Sequence, residues 1–307
     1  WLDLRSCQLY DKDLVHLAGL TNLEALSLAY NQSITDVGLE HLKPLTQLRE
    51  LNLMMVGVTG PGLVHLAGMT ELRYLELRQA QALDAGLAHL AELTKLEHLN
   101  LYGSQISDAG LKHLKGLTAL RVLDIGGARI SDAGLSNLEA LSRLESLNLR
   151  ATGISDAGLV HLRGLNNLRE LNVSRNLLSD PGMSHIAALK ELRRLELGGS
   201  FAVDAPDAEA EPKISDAGIE KLKTLTNLEH LKLHQTGITD AGLKHLQPLT
   251  RLQTLELRNS DITDGGISHL SVLEELQELH LVYTSVTGDG VKKLQAALPE
   301  CRIVCAR

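Results

Sequence analysis

Thirteen histidines, thirty-eight acidic residues and three cysteines are the side chains of this 307-residue chain best suited to chemistry. Histidine titrates near neutral pH and ligates metals, so its spacing is informative. Nine of the thirteen, His16, His41, His65, His89, His113, His161, His185, His245 and His269, fall at one place in a recurring unit. Asn137, Lys221 and Lys293 take that place in the remaining units. A catalytic centre is local, whereas a residue repeated nine times reads as a structural ladder between neighbouring units. The Asp of S-D-A-G recurs in ten of twelve units, with Gly60 and Gly288 as the exceptions. Pro61 and Pro181 follow that place directly, and Pro favours the first helical position. Asp36, Asp108, Asp156, Asp180 and Asp240 therefore read as helix N-caps rather than catalytic carboxylates. The Gly two residues later reads as a point of close packing between units. Cys7, Cys301 and Cys305 lack the spacing of a zinc site and are too few for a disulfide framework. Gly126-Gly127 and Gly198-Gly199 match neither a dinucleotide fingerprint nor a P-loop. These residues predict no enzyme, no cofactor and no metal.

The elements that position these side chains follow from self-similarity. Residues 93–116 read LTKLEHLNLYGSQISDAGLKHLKG and 225–248 read LTNLEHLKLHQTGITDAGLKHLQP. The frame tiles the chain as a partial unit over 1–19, full units over 20–296 and a degenerate half-unit and cap over 297–307. Twelve extra residues fall within 198–213, rich in Ala, Pro and acid, with Phe201 at their start. Such composition predicts a mobile loop. The result is a single domain over 1–307. Within a unit, L-x-x-L-x-L alternates as a half-buried strand does, for example Leu96, Leu99 and Leu101. The following D-A-G-L-x-H-L-x-x-L places Leu111, Leu114 and Leu117 three apart, which suits a short helix. Cys7, Asn31, Ser104, Thr152, Asn176, Thr236 and Thr284 share the turn between them and can satisfy its backbone groups. One strand and one helix cannot bury their apolar faces alone, but stacked units can. The expected fold is α/β: a right-handed β/α solenoid with a parallel concave sheet and short convex helices.

The pattern L-x-x-L-x-L-x-x-[N/C/T/S]-x-[I/L/V] resembles the leucine-rich repeat. Its I-[T/S]-D-A-G-L continuation is similar to the cysteine-containing subfamily, known from F-box substrate receptors and from bacterial repeat arrays. Thr or Ser replacing Cys, and the ending Leu298 to Val304, look closer to the bacterial arrays. The resemblance implies a horseshoe whose role depends on the surface it presents.

On the strands the leucines point inward, so intervening residues project from the open face. The row between the strand leucines is polar, from Asp3, Ser27 and Asn52 to Glu256 and His280. The core is aliphatic, so the few aromatics are free to serve recognition: Trp1, Tyr30, Tyr74, Tyr102 and Tyr283 all fall at open-face positions. Tyr30, Met54, Met55, Tyr74, Arg78 and Tyr102 form one candidate partner-binding patch within four consecutive units. His230, His234, Arg258, His280 and Tyr283 form a second, with pH sensitivity near neutrality.

Composition bounds the partner. The net charge of -8 argues against nucleic acid, and no apolar run approaches the roughly 20 residues of a membrane span. The expected function is a non-catalytic protein–protein interaction module. Alternatives are the recognition part of a ubiquitin-ligase receptor, or a GTPase-activating regulator. The chain opens inside a strand at Trp1, so its natural N-terminus is expected to lie upstream, and self-association through the open first edge is a further expectation. Few cysteines favour a reducing setting such as the cytoplasm.

Overall fold

In a computed structural model, which describes residues 1–80, 84–199 and 214–305, every unit contributes one short strand. The insertion expected within 198–213 lies, from residue 200 onward, outside the described residues, as does Phe201. The chain divides into two compact units, Trp1–Thr152 and Gly153–Arg307.

The first unit carries β1 (Leu2–Asp3), β2 (Ala25–Ser27), β3 (Glu50–Asn52), β4 (Tyr74–Glu76), β5 (His98–Asn100), β6 (Val122–Asp124) and β7 (Ser146–Asn148). Neighbours in sequence pair in parallel, with Leu51 opposite Leu75 and Leu75 opposite Leu99. Leu26, Leu51, Leu75, Leu99, Leu123 and Leu147 thus form one buried row. The second unit repeats the plan with β8 (Glu170–Asn172), β9 (Arg194–Gly198), β10 (His230–His234), β11 (Thr254–Glu256), β12 (Glu278–His280) and β13 (Arg302–Val304). β9 and β10 pair over five residues each. In each unit aliphatic side chains fill nearly all of the interior, joined by Met69 in the first and by Met183 and Cys301 in the second.

The expected helices are present but tight. Several are 3-10 turns, such as Pro61–Leu66 and Gly158–Leu162, and others are four-residue α segments such as Asp108–Leu111. A 3-10 helix has three residues per turn, so leucines spaced by three share one face. Leu63 and Leu66 are buried for that reason, and the spacing of three is the signature of this geometry.

The capping assignment needs correction. The N-caps are the hydroxyl residues one position earlier: Thr35, Ser107, Ser215, Thr239 and Thr263 each accept the N–H two residues on at 3.2–3.3 Å. The aspartates look outward to the next repeat instead. Asp108 Oδ1 accepts the Ser131 N–H at 2.9 Å and its Oδ2 accepts the Ser131 hydroxyl at 2.5 Å. Asp36, Asp156, Asp180 and Asp240 hold Thr59, Ser179, Ser215 and Thr263 in the same two-bond clasp. The carboxylate can reach across the repeat spacing, whereas the shorter hydroxyl folds back onto its own helix. This clasp explains the glycine. A Cβ on Gly134 would lie 2.0 Å from Asp108 Oδ1, so the close packing expected of that position is a carboxylate seated against bare backbone.

The Asn and Thr turn residues act as expected, whereas the Ser104 hydroxyl is buried with no hydrogen-bond partner among the described residues. Asn31 Nδ2 donates to the carbonyls of Leu4 and Leu28 at 2.9 and 2.8 Å, while its Oδ1 accepts the Leu9 N–H at 3.0 Å. Thr236 and Thr284 donate to Leu233 and Leu281 carbonyls within their own turns.

Candidate interaction sites

In the first unit the side chains at Tyr74 and its neighbours are locked together. Tyr74 on β4 stands directly opposite His98 on β5, and their rings stack with centroids 4.3 Å apart and planes 16° from parallel. The Tyr74 hydroxyl donates to Glu76 Oε2 at 3.4 Å, and Asn100 Nδ2 donates to the same oxygen at 3.1 Å. Glu76 Oε1 accepts the Arg78 backbone N–H at 2.9 Å. Glu76 is only 4% exposed, and burial pushes its carboxyl above the usual range against the pull of these bonds. Burial, followed by the Glu76 charge, likewise raises the Tyr74 phenol. The Arg78 guanidinium lies 4.8 Å from the centroid of the Tyr102 ring. Gly126 makes room beside that ring, since a Cβ there would meet Tyr102 Cδ2 at 2.9 Å.

The polar row between the strand leucines has a structural task that its composition does not disclose. Asn52, Asn100, Asp124 and Asn148 each accept the N–H two residues ahead, at 2.9–3.0 Å. They close the end of each strand as Glu76 does, and are not simply solvated.

Tyr30 and Met55 leave the strand at a different place. They occupy the residue before the turn position, where φ is +62° and +53°. The equivalent residues Gln79, Gly103 and Gly127 are also left-handed. No side-chain hydrogen bond, ion pair or ring contact ties Tyr30, Met54 or Met55 to the Tyr74 cluster among the described residues. His98, Glu76, Asn100 and Gly126 belong to the cluster but were not in the predicted patch. The strand register, which sets His98 against Tyr74, is the signal that finds them.

In the second unit, Glu256 draws together two cations, Lys232 and Arg258, and the His234 ring. Its carboxylate lies 3.3 Å from His234 Nε2, 3.4 Å from Arg258 Nε and 3.6 Å from Lys232 Nζ. Lys232 also pairs with Glu196 at 3.1 Å. Arg258 Nη2 stands 3.2 Å from His280 Nδ1; guanidinium only donates, so Nδ1 accepts, and a neutral ring carries its proton on Nε2. A cleft of about 500 Å³ opens here, lined by His234, Gln235, Arg258, Asn259 and Tyr283. Tyr283 has φ +58° and is 68% exposed. Burial lowers the His234 and His230 imidazoles below their ordinary value. His230 lies on the same strand but outside the cleft lining. Among the described residues no three His, Cys, Asp or Glu side chains are placed to hold a metal ion. The helix histidines other than the exposed His16 are half-buried along the flank, away from both clusters. No helix of the described residues is long and apolar enough to cross a membrane.

Short parallel strands over aliphatic rows, closed by Asn or hydroxyl turns, recur in each unit and are similar to the leucine-rich-repeat fold. Residues 19–43, 92–115, 116–138, 164–187, 224–246 and 249–271 match the family model described as leucine-rich repeat. An internalin of Listeria monocytogenes is similar at 25% identity and TM-score 0.71, over 95% of this chain and 82% of that one. A leucine-rich-repeat protein of Leptospira interrogans is similar at 20% identity and TM-score 0.66, over 94% and 74%. A plant peptide hormone receptor in complex with RGF2 shares the fold at 17% identity and TM-score 0.54, over 95% and 52%. No curated protein sequence matches.

Proposed function

We propose that the chain is a non-catalytic protein-interaction module whose partner docks on the sheet face at Tyr74 and Tyr102. Leucine-rich-repeat proteins generally work as interaction modules, and the proposal gives this one a contact face. The observation that carries it is the pair of braced aromatics, Tyr74 stacked on His98 and Tyr102 beneath Arg78. Neither ring is needed by the aliphatic core, and both are fixed before any partner arrives, so little side-chain entropy is lost on binding. Tyr and Arg are the residue types that anchor interfaces. His230, His234, Arg258, His280 and Tyr283 supply a second contact area on this reading. The I-[T/S]-D-A-G-L continuation supports placing the repeats with the cysteine-containing subfamily.

The test is the affinity of a cognate protein partner for wild type and for Tyr74→Ala/Tyr102→Ala. Truncating central aromatic anchors costs about 2 kcal/mol or more, so affinity should fall well over tenfold with the array still folded. Lys115→Ala, at an exposed position in the turn that follows the helix Asp108–Leu111, serves as the control. Loss of binding in the control, with the Tyr pair unaffected, overturns the proposal.

A further inference from the structure

Tyr74 has two ring faces and His98 covers one of them. Because β5 lies on one side of β4 and β3 on the other, the second face turns toward β3. There the sheet has a hollow of about 240 Å³, lined by Trp1, Asp3, Arg5, Ala25, Leu26, Ser27, Glu50, Asn52 and Tyr74. Small residues at Ala25 and Ser27 make the floor, where the neighbouring strands carry Trp1, Glu50 and Tyr74. Two carboxylates line it. Asp3 is taken up by Arg5, whose Nε and Nη2 reach it at 2.9 and 2.7 Å. Glu50 is exposed and has no ion pair or side-chain hydrogen bond among the described residues. It stands directly opposite Tyr74 in the strand register.

We propose that this hollow receives an arginine side chain of the protein partner, stacked on the free face of Tyr74 and paired with Glu50. The proposal rests on the docking face proposed above and names what that face selects. An unpaired carboxylate beside an open phenol ring is complementary to a planar cation. Guanidinium fits better than ammonium because it stacks flat on an aromatic face while presenting two parallel N–H groups to a carboxylate. The buried Glu76 and the nearby Asp3 add to the negative field, which Arg5 and Arg78 partly offset.

The hollow can be tested without the partner. The probes are Nα-acetyl-arginine amide, its lysine counterpart and its citrulline counterpart, which keeps the shape and loses the charge. Each is titrated into the protein while the Ala25 methyl and Tyr74 ring resonances are followed by NMR. Arginine should give saturable shifts at both, with citrulline weaker by roughly fivefold to thirtyfold. Lysine should fall between them. Glu50→Gln, an exposed substitution that leaves the fold alone, should erase most of the preference for arginine over citrulline. The proposal is overturned by an absence of saturable shifts, by citrulline or lysine binding as well as arginine, or by Glu50→Gln keeping the preference. Such a result with the Tyr74/Tyr102 variant still losing its partner removes the arginine site and leaves the docking face standing.

Discussion

Replacing Gly134 by Ala exposes how the repeats are clasped. Taken alone the change has two opposed effects. Alanine restricts the unfolded chain more than glycine does, which favours the variant by about 0.4–1 kcal/mol. Its Cβ, however, would sit 2.0 Å from Asp108 Oδ1 and 2.5 Å from Cγ, and overpacking of that kind costs about 1–3 kcal/mol. Net destabilisation of about 1 kcal/mol is expected. Asp108→Ala alone removes two hydrogen bonds to a carboxylate, from Ser131 N and Oγ, and should cost about 2 kcal/mol at this exposed position. In the double variant the clashing carboxylate atoms are gone, and the residue-108 Cβ lies 3.2 Å away. Gly134→Ala should then be neutral or stabilising, so the two changes couple by about 2 kcal/mol. Urea unfolding of the four proteins, with m-values compared to confirm a common transition, measures this cycle. If Gly134→Ala is equally costly with and without Asp108, to within about 0.5 kcal/mol, the clasp does not explain the glycine.

Stability should also respond to acid through His98. Burial holds its imidazole below the ordinary value, so below about pH 6.5 the unfolded chain binds the proton that the folded chain refuses. Stability therefore falls as pH drops from about 7.5 to 5. His98→Phe, which keeps a ring against Tyr74, should flatten part of that slope; an unchanged slope would show that His98 does not contribute. His65, His230 and His234 are lowered in the same direction and should retain the rest. Cys301 is 3% exposed and its thiol is pushed up to about 11, chiefly by burial. With iodoacetamide near pH 8 it should alkylate about a hundredfold more slowly than the exposed Cys7 and Cys305, as read by peptide mass spectrometry. Comparable rates at all three would contradict the buried placement.

Much of the fold is legible because burial imposes a period. Leu96, Leu99 and Leu101 announce a strand by alternation, and Leu111, Leu114 and Leu117 announce a tight helix by threes. What hides is hydrogen-bond direction. Asp108 and Ser107 are adjacent, both suit a cap, and only the coordinates show which oxygen turns back and which reaches forward. The candidate site was half visible for a similar reason. Tyr74 and Tyr102 stand out as aromatics in an aliphatic chain, but His98 and Gly126 matter only through strand register. Counting along the strand groups Tyr30 and Met55 with them, and Tyr283 with the second patch. Their positive φ sets them three residues past the strand ends at Ser27, Asn52 and His280, in a conformation that costs an L-residue roughly 1 kcal/mol or more and that glycine adopts freely.

The clasp between Asp180 and Ser215 spans 35 residues, where the corresponding pair Asp216 and Thr239 spans 23, yet the distances hardly differ. Chain length between the two ends is thus no part of what sets the repeat. β9 ends at Gly198, whose strand is already paired to β10, and Ile214 is buried and accepts the Gly237 N–H at 2.8 Å. Both flanks are thus anchored by bonds among the described residues. Lengthening a closed loop adds only about 0.6 kcal/mol per doubling. That interval is consequently a splice port: a whole foreign domain with neighbouring termini could be grafted there, or new chain ends opened by permutation, without disturbing the register on either side.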